Sequence, residues 1–358
     1  MLMIFAFGAV IFLLSYTLTR FISHLLSIQD DVSIPYQFKK DPYIYIFLIL
    51  AVLFGAVYFL NPYFKDAVCP PHLIWLGTSF VFAGLIYLLF LLETDKLLDT
   101  CVVIFSILST FLFADKSALA DLAPVPWWLS ALGVGLTVSL ITLGSRVLAG
   151  LTGVFSLVMS MLSLGLFLTS CFGGTPSYLG LMAIAMFGAF ACIFQFNAFR
   201  LHLKINEGAM MSVTFLFCML LLSGVNEFAG PSMLILPLYI IAELLWSLCA
   251  QYILRRKETD LCFNAIYWSA FQKTTDIGLV YTIIFKICII NIVLSCFQLY
   301  AQNAFTLPLL ALIINFWLLS KLNVAGQEES TLKDINTDFV ENIKTEIGDI
   351  KQHLGKKD

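Results

Sequence analysis

Charge is the scarce component of this sequence. Only 12% of its 358 residues are Asp, Glu, Lys or Arg, about half the ~25% of a soluble domain. Hydrophobic residues make up 60%, and the mean hydropathy is +0.93. A water-facing surface for a chain of this size cannot be built from so few charges, which excludes a soluble globular protein. The net charge of −3 offers no basic field for nucleic acid, so none is expected as a partner. The nine cysteines contain no CxxC pair and no Cys/His grouping, so no thiolate metal site is expected. Most of them fall inside apolar runs, where Cys packs as a small hydrophobe. The alternating segments of a β-barrel are missing too. The start, MLMIFAFGAVIFLLSYTLTR, lacks a basic leader and a small-residue cleavage site, and reads as a first membrane helix rather than a removable signal.

What the chain has instead is long apolar runs. A hydrocarbon core of ~30 Å needs ~17–25 apolar residues per helix. Eleven runs fit, at roughly 3–19, 43–60, 72–92, 98–114, 127–144, 147–170, 177–198, 209–224, 231–253, 277–299 and 303–320. The expected fold is therefore an all-α polytopic membrane protein, with a transmembrane domain over 1–322 and a cytoplasmic tail over 323–358. The basic residues orient it. Of the 20 Lys and Arg, only Lys65 and Lys116 fall in loops after even-numbered spans, and Lys286 lies inside span ten. The rest share the other face and the tail, which by the positive-inside rule puts the N-terminus outside and the C-terminus in the cytoplasm.

Two ionisable residues, Glu243 and Lys286, lie deep in the adjacent spans nine and ten. An unpaired charge at depth is costly, so they are expected to pair. The tail carries Leu332, Ile335, Phe339, Ile343, Ile347, Ile350 and Leu354 at helical spacing, one apolar stripe suited to packing on the cytoplasmic face of the protein or on a protein partner. Between spans seven and eight, the stretch Phe194–Ser212 gathers Arg200, His202, Lys204, Asn206 and Glu207 into a polar island on the cytoplasmic side.

That island carries a resemblance. It reads Phe194-Gln195-Phe196-Asn197, then Lys204-Ile205-Asn206-Glu207-Gly208-Ala209-Met210-Met211-Ser212. This resembles the F-x-x-N and K-I-F-M-G-D-x-G-S pattern of the polyprenyl-phosphate sugar-1-phosphate transferases. Leu143–Thr152 sits where that family has N-L-I-D-G-x-D-G-L-A and keeps Gly150 and Leu151; Leu92-Glu93-Thr94 stands for L-D-D. Arg255-Arg256 resembles the family's paired arginines, and Ile34-Pro35 its early I-P. The resemblance covers about residues 1–320. It implies ten or eleven spans, a cytoplasmic active site, Mg²⁺, and transfer of a sugar-1-phosphate from a UDP-sugar to polyprenyl phosphate in the bacterial cytoplasmic membrane.

The departures fall on the chemistry. Ala209 stands at a metal-binding Asp, Arg146 and Ala149 stand at two more, and the stretch Asp260–Phe271 has no His where the family has H-x-H-H. Phosphoryl transfer depends on metal and fixed cations against developing charge, and Mg²⁺ needs carboxylate ligands that Arg and Ala do not supply. Three readings follow. The first is a non-catalytic homologue in cell-envelope glycan assembly, without metal or cofactor. It would bind a lipid phosphate through Asn197, Arg200, Lys204, Arg146, Arg255 and Arg256, or a protein partner through the 331–358 helix. The second is an active glycosyltransferase with a rebuilt site, using Glu93, Asp95, Glu207 or Asp260 for Mg²⁺. The third is a transporter, for which Glu243, Lys286 and Gln195 are the support.

Overall fold

The computed structural model describes residues 2–28, 70–92, 95–113, 125–151, 153–172, 178–199, 206–228, 234–252, 265–274, 277–300 and 306–324. Among the described residues there is no strand; the architecture is all-α. The helices are α1 (Leu2–Ile28), α2 (Pro70–Leu91), α3 (Asp95–Phe113), α4 (Trp127–Gly144), α5 (Val154–Phe172), α6 (Tyr178–Phe199), α7 (Glu207–Phe228), α8 (Leu238–Tyr252), α9 (Ile266–Thr274), α10 (Ile277–Gln298) and α11 (Thr306–Val324). The expected span at 43–60 and the amphipathic tail at 331–358 lie outside the described residues.

Prolines set several of the starts. Pro70, Pro126 and Pro237 stand at or just before the first turns of α2, α4 and α8, where a missing N–H costs nothing. Three stretches are long and apolar enough to cross a membrane: Trp127–Ala149, Val154–Phe172 and Ile277–Gln298. They are not equivalent. The second, α5, is 83% buried within the protein, whereas the third, α10, is only 33% buried.

The core is built around α5, which packs on α6 and α10, and around α7, which packs on α2 and α4; α1 lies along α6, and α3 along α4. Phe155 meets Phe190 edge to face at 6.0 Å, and Phe215 and Phe217 are fully buried. Where lipid surrounds a bundle, such contacts hold helices together by close packing, because lipid tails are as apolar as the core. Small residues permit that approach. A Cβ on Gly188 would lie 2.8 Å from the Phe12 carbonyl oxygen, and one on Gly135 would lie 2.8 Å from the Ile107 Cα. Hydroxyls and amides tie further pairs: Ser15 donates to the Ala185 carbonyl, Ser212 to the Ala83 carbonyl, and Asn315 to Asn291. Outward, large apolar side chains such as Leu13, Val81, Leu112, Leu309 and Ile313 are exposed.

The tract 127–170 differs from expectation. A sixth span from 147 is replaced by a 3-10 turn at Ser145–Ala149, then an irregular link, then α5 from Val154. Gly153 makes the break, with φ at 92°, a left-handed conformation that residues with a Cβ adopt at a cost. The short helix α9 was also not expected.

Candidate functional site

Two of the expected site residues, Arg146 and Glu207, meet where the Ser145–Ala149 turn abuts α7 and α8. Arg146 projects from this turn. Its Nη1 donates to Asp99 Oδ1 at 2.8 Å, and its Nε lies 3.2 Å from Glu207 Oε2. The second contact is Coulombic rather than a hydrogen bond, because the Nε–H is not aimed at the oxygen. The guanidinium side chain is 20% exposed and each carboxylate 47%. At that exposure each pair contributes about 0–1 kcal/mol. The larger consequence is geometric: one Arg ties the N-terminal parts of α3 and α7 to the turn that follows α4.

The α7 side is fixed by its cap. Asn206 Oδ1 accepts the Ala209 N–H at 2.7 Å, satisfying one of the donors that a helix start leaves open. Gly208 packs against the Phe90 ring, where a Cβ has no room. Ala209 is fully buried in the core cluster. A carboxylate there would be driven into apolar surroundings.

The turn is held from the other side by α9. Tyr267 Oη donates to the Val147 carbonyl at 2.5 Å and accepts the Gly150 N–H at 3.0 Å. This one hydroxyl satisfies two backbone groups of an irregular segment buried beside the helices, where an unpaired group would be costly. The start of α9 is in turn held by Glu243 of α8. Glu243 Oε2 accepts the Ile266 N–H at 2.9 Å, and Oε1 accepts the Tyr239 hydroxyl at 2.9 Å. A carboxylate at a helix N-terminus is favoured by the open N–H groups and by the helix dipole. A chain of polar contacts therefore runs from Glu243 through α9 and Tyr267 to the turn, and through Arg146 to Asp99 and Glu207.

The expected pairing of Glu243 with Lys286 is corrected by these contacts. Glu243 is fully buried with two protein donors. Lys286 is exposed on α10, and among the described residues the ion pairs are those of Arg146. Arg146, expected as a lipid-phosphate contact, is already engaged by two carboxylates. Glu207, expected as a metal candidate, is one of them. The gap between Asp99 and Glu207 holds a guanidinium, so the donors here do not fit Mg²⁺. Among the described residues no group of three or more His, Cys, Asp or Glu could hold a metal ion.

The remaining expected residues are not brought together by anything described. Glu93, Asp260, Arg200, Lys204, Arg255 and Arg256 lie outside the described residues. Asp95 opens α3 and Asn197 sits in the last turn of α6. Gln195 accepts a hydrogen bond from the Tyr16 hydroxyl, which gives it a helix-joining role. Compared with known proteins, the chain matches no family model, and no curated protein is significantly similar to it. Three residues escaped the sequence reading of the site: Asp99 as the Arg146 partner, Tyr267 as the clasp on the turn, and Tyr239 as the Glu243 donor. Only Tyr239 left a signal, since it stands four residues before Glu243 and so on the same helix face.

Proposed function

We propose that this chain is a multi-pass protein of the bacterial cytoplasmic membrane, with its N-terminus outside. In this reading it is a non-catalytic homologue of the polyprenyl-phosphate sugar-1-phosphate transferases. It serves cell-envelope glycan assembly by binding a lipid phosphate or a partner protein rather than by transferring a sugar. One observation carries the reading. Two positions where the resemblance implies metal-binding carboxylates, 146 and 209, are both used to hold helices together. Arg146 bridges Asp99 and Glu207, and Ala209 is buried beneath an Asn206 cap. Restoring Mg²⁺ chemistry would require breaking those contacts as well as changing the residues. The lipid-phosphate contacts would then be drawn from Asn197, Arg200, Lys204, Arg255 and Arg256, since Arg146 is engaged elsewhere.

The test is direct. The purified chain in liposomes is given UDP-GlcNAc, polyprenyl phosphate and Mg²⁺, and UMP is measured. No UMP above a protein-free control is expected, with polyprenyl phosphate binding weakened about tenfold by Arg255→Ala with Arg256→Ala. Turnover abolished by Glu93→Ala or Asp95→Ala would overturn the reading in favour of a rebuilt transferase site.

A further inference from the structure

Among the described residues, Lys286 has no ion-pair partner. It lies within Ile277–Gln298, the most apolar of the three stretches long enough to cross a membrane. At 1.5 Å per residue it stands about 14 Å from one end of α10 and about 18 Å from the other. A lysine stem can snorkel only part of that way toward water. A lone charge at such depth is disfavoured and calls for a counter-charge.

The helix cannot simply roll to hide it. Asn291 of α10 is buried, and it exchanges a hydrogen bond with Asn315 of α11, whose Nδ2 donates at 2.8 Å. Ser295 is buried at 3.3 Å from Thr169 of α5. These polar contacts pin the inward face of α10. Lys286 is five residues before Asn291, about 140° around the helix at 3.6 residues per turn. Around it the exposed residues Leu279, Thr282, Ile289, Val293 and Phe297 repeat at spacings of three and four, the pattern by which one helix seats against another. Glu243, the buried carboxylate of α8, is already bonded to Tyr239 and Ile266, so neither this chain's Glu243 nor a second copy's can answer the lysine.

We propose that the Lys286 face of α10 is a docking surface for a transmembrane helix of another protein that carries an Asp or Glu near mid-membrane. The occupant is fixed by charge complementarity: an apolar seam with one cation at its centre fits an apolar helix with one carboxylate. This rests on the reading of α10 as a membrane span. Carboxylate and ammonium would satisfy each other where water is absent, and the flanking apolar residues would set the register.

The experiment uses the full chain in phosphatidylcholine liposomes with synthetic Leu-rich transmembrane peptides carrying a central Asp, Asn or Leu. Association is read by energy transfer from a labelled peptide. The Asp peptide is expected to bind at least about tenfold more tightly than the Leu peptide, and Lys286→Met should remove the difference. Lys286→Asp should transfer the preference to a peptide with a central Lys, which keeps the test independent of any one variant's folding. Equal binding of the Asp and Leu peptides would overturn the proposal. So would displacement of the Asp peptide by added phosphatidylglycerol, which would make the occupant a lipid headgroup, or a disulfide between two copies of Ile289→Cys, which would make it a second copy. Labelling of Ile289→Cys by a membrane-impermeant maleimide in intact liposomes would instead refute the spanning position of α10, and the docking surface with it.

Discussion

Glu243 and Lys286 look alike in the sequence and are opposites in the fold. Both are single charges inside apolar runs of consecutive long helices. Glu243 is fully buried, and its oxygens accept the Tyr239 hydroxyl and the Ile266 N–H. Lys286 is exposed on a helix that is only 33% buried. The difference lies in what the protein can supply. A carboxylate accepts hydrogen bonds, and a helix start such as that of α9 offers open N–H groups wherever it is buried. An ammonium needs acceptors, and the carbonyls of an intact helix are already used. So the acid is settled internally and organises a neighbouring helix, while among the described residues the base has no ion-pair partner.

The largest way to break this comparison is Glu243→Ala. It leaves the Tyr239 hydroxyl and the Ile266 N–H without their acceptor, and should destabilise the folded protein by about 2–5 kcal/mol. Thermal unfolding in detergent measures the loss, and limited proteolysis after residue 252 should report the loosened α9. Next is Tyr267→Phe, which deletes the clasp on Val147 and Gly150; about 1–2 kcal/mol is expected, read as faster backbone hydrogen exchange across residues 145–153. Arg146→Met comes third. It leaves the Asp99 and Glu207 carboxylates half-exposed and unbridged, at about 1 kcal/mol, and the cost should shrink in high salt. Smallest is Lys286→Met, which should leave stability within ~0.5 kcal/mol of the parent.

Much of the fold was legible because length and hydropathy are properties of single segments. The described helices α2, α3, α4, α6 and α10 fall close to the runs expected at 72–92, 98–114, 127–144, 177–198 and 277–299. The tract beyond Gly144 was misjudged because Val147, Leu148 and Ala149 are as apolar as a helix interior. The non-helical link there turns on Gly153, which takes a positive φ, and is held by a tyrosine more than a hundred residues away. Neither leaves a mark on local hydropathy. α9 was overlooked because its nine residues are too few for a span and too mixed in polarity to stand out.

The site was legible in its parts and not in its pairings. The sequence reading named Arg146 and Glu207, but it gave them separate roles as a phosphate contact and a metal candidate. Sixty residues of chain separate them, and only the packing of the turn on α7 brings them together. Lys286 teaches the same lesson about direction. Its depth follows from counting residues. Its side of the helix could have been read from Asn291, Ser295 and Gln298, spaced four and three apart on the buried face. Polar residues in an apolar helix turn inward to find partners, and Lys286 lies off that stripe.

The most direct measurement is a double-mutant cycle on Glu243→Gln and Lys286→Met, followed by reversible unfolding of the full chain. With each residue held as described, the two effects should add, leaving a coupling within ~0.5 kcal/mol of zero. A coupling of about 1 kcal/mol or more, with Lys286→Met rescuing Glu243→Gln, would show that the two charges meet after all and would contradict the account.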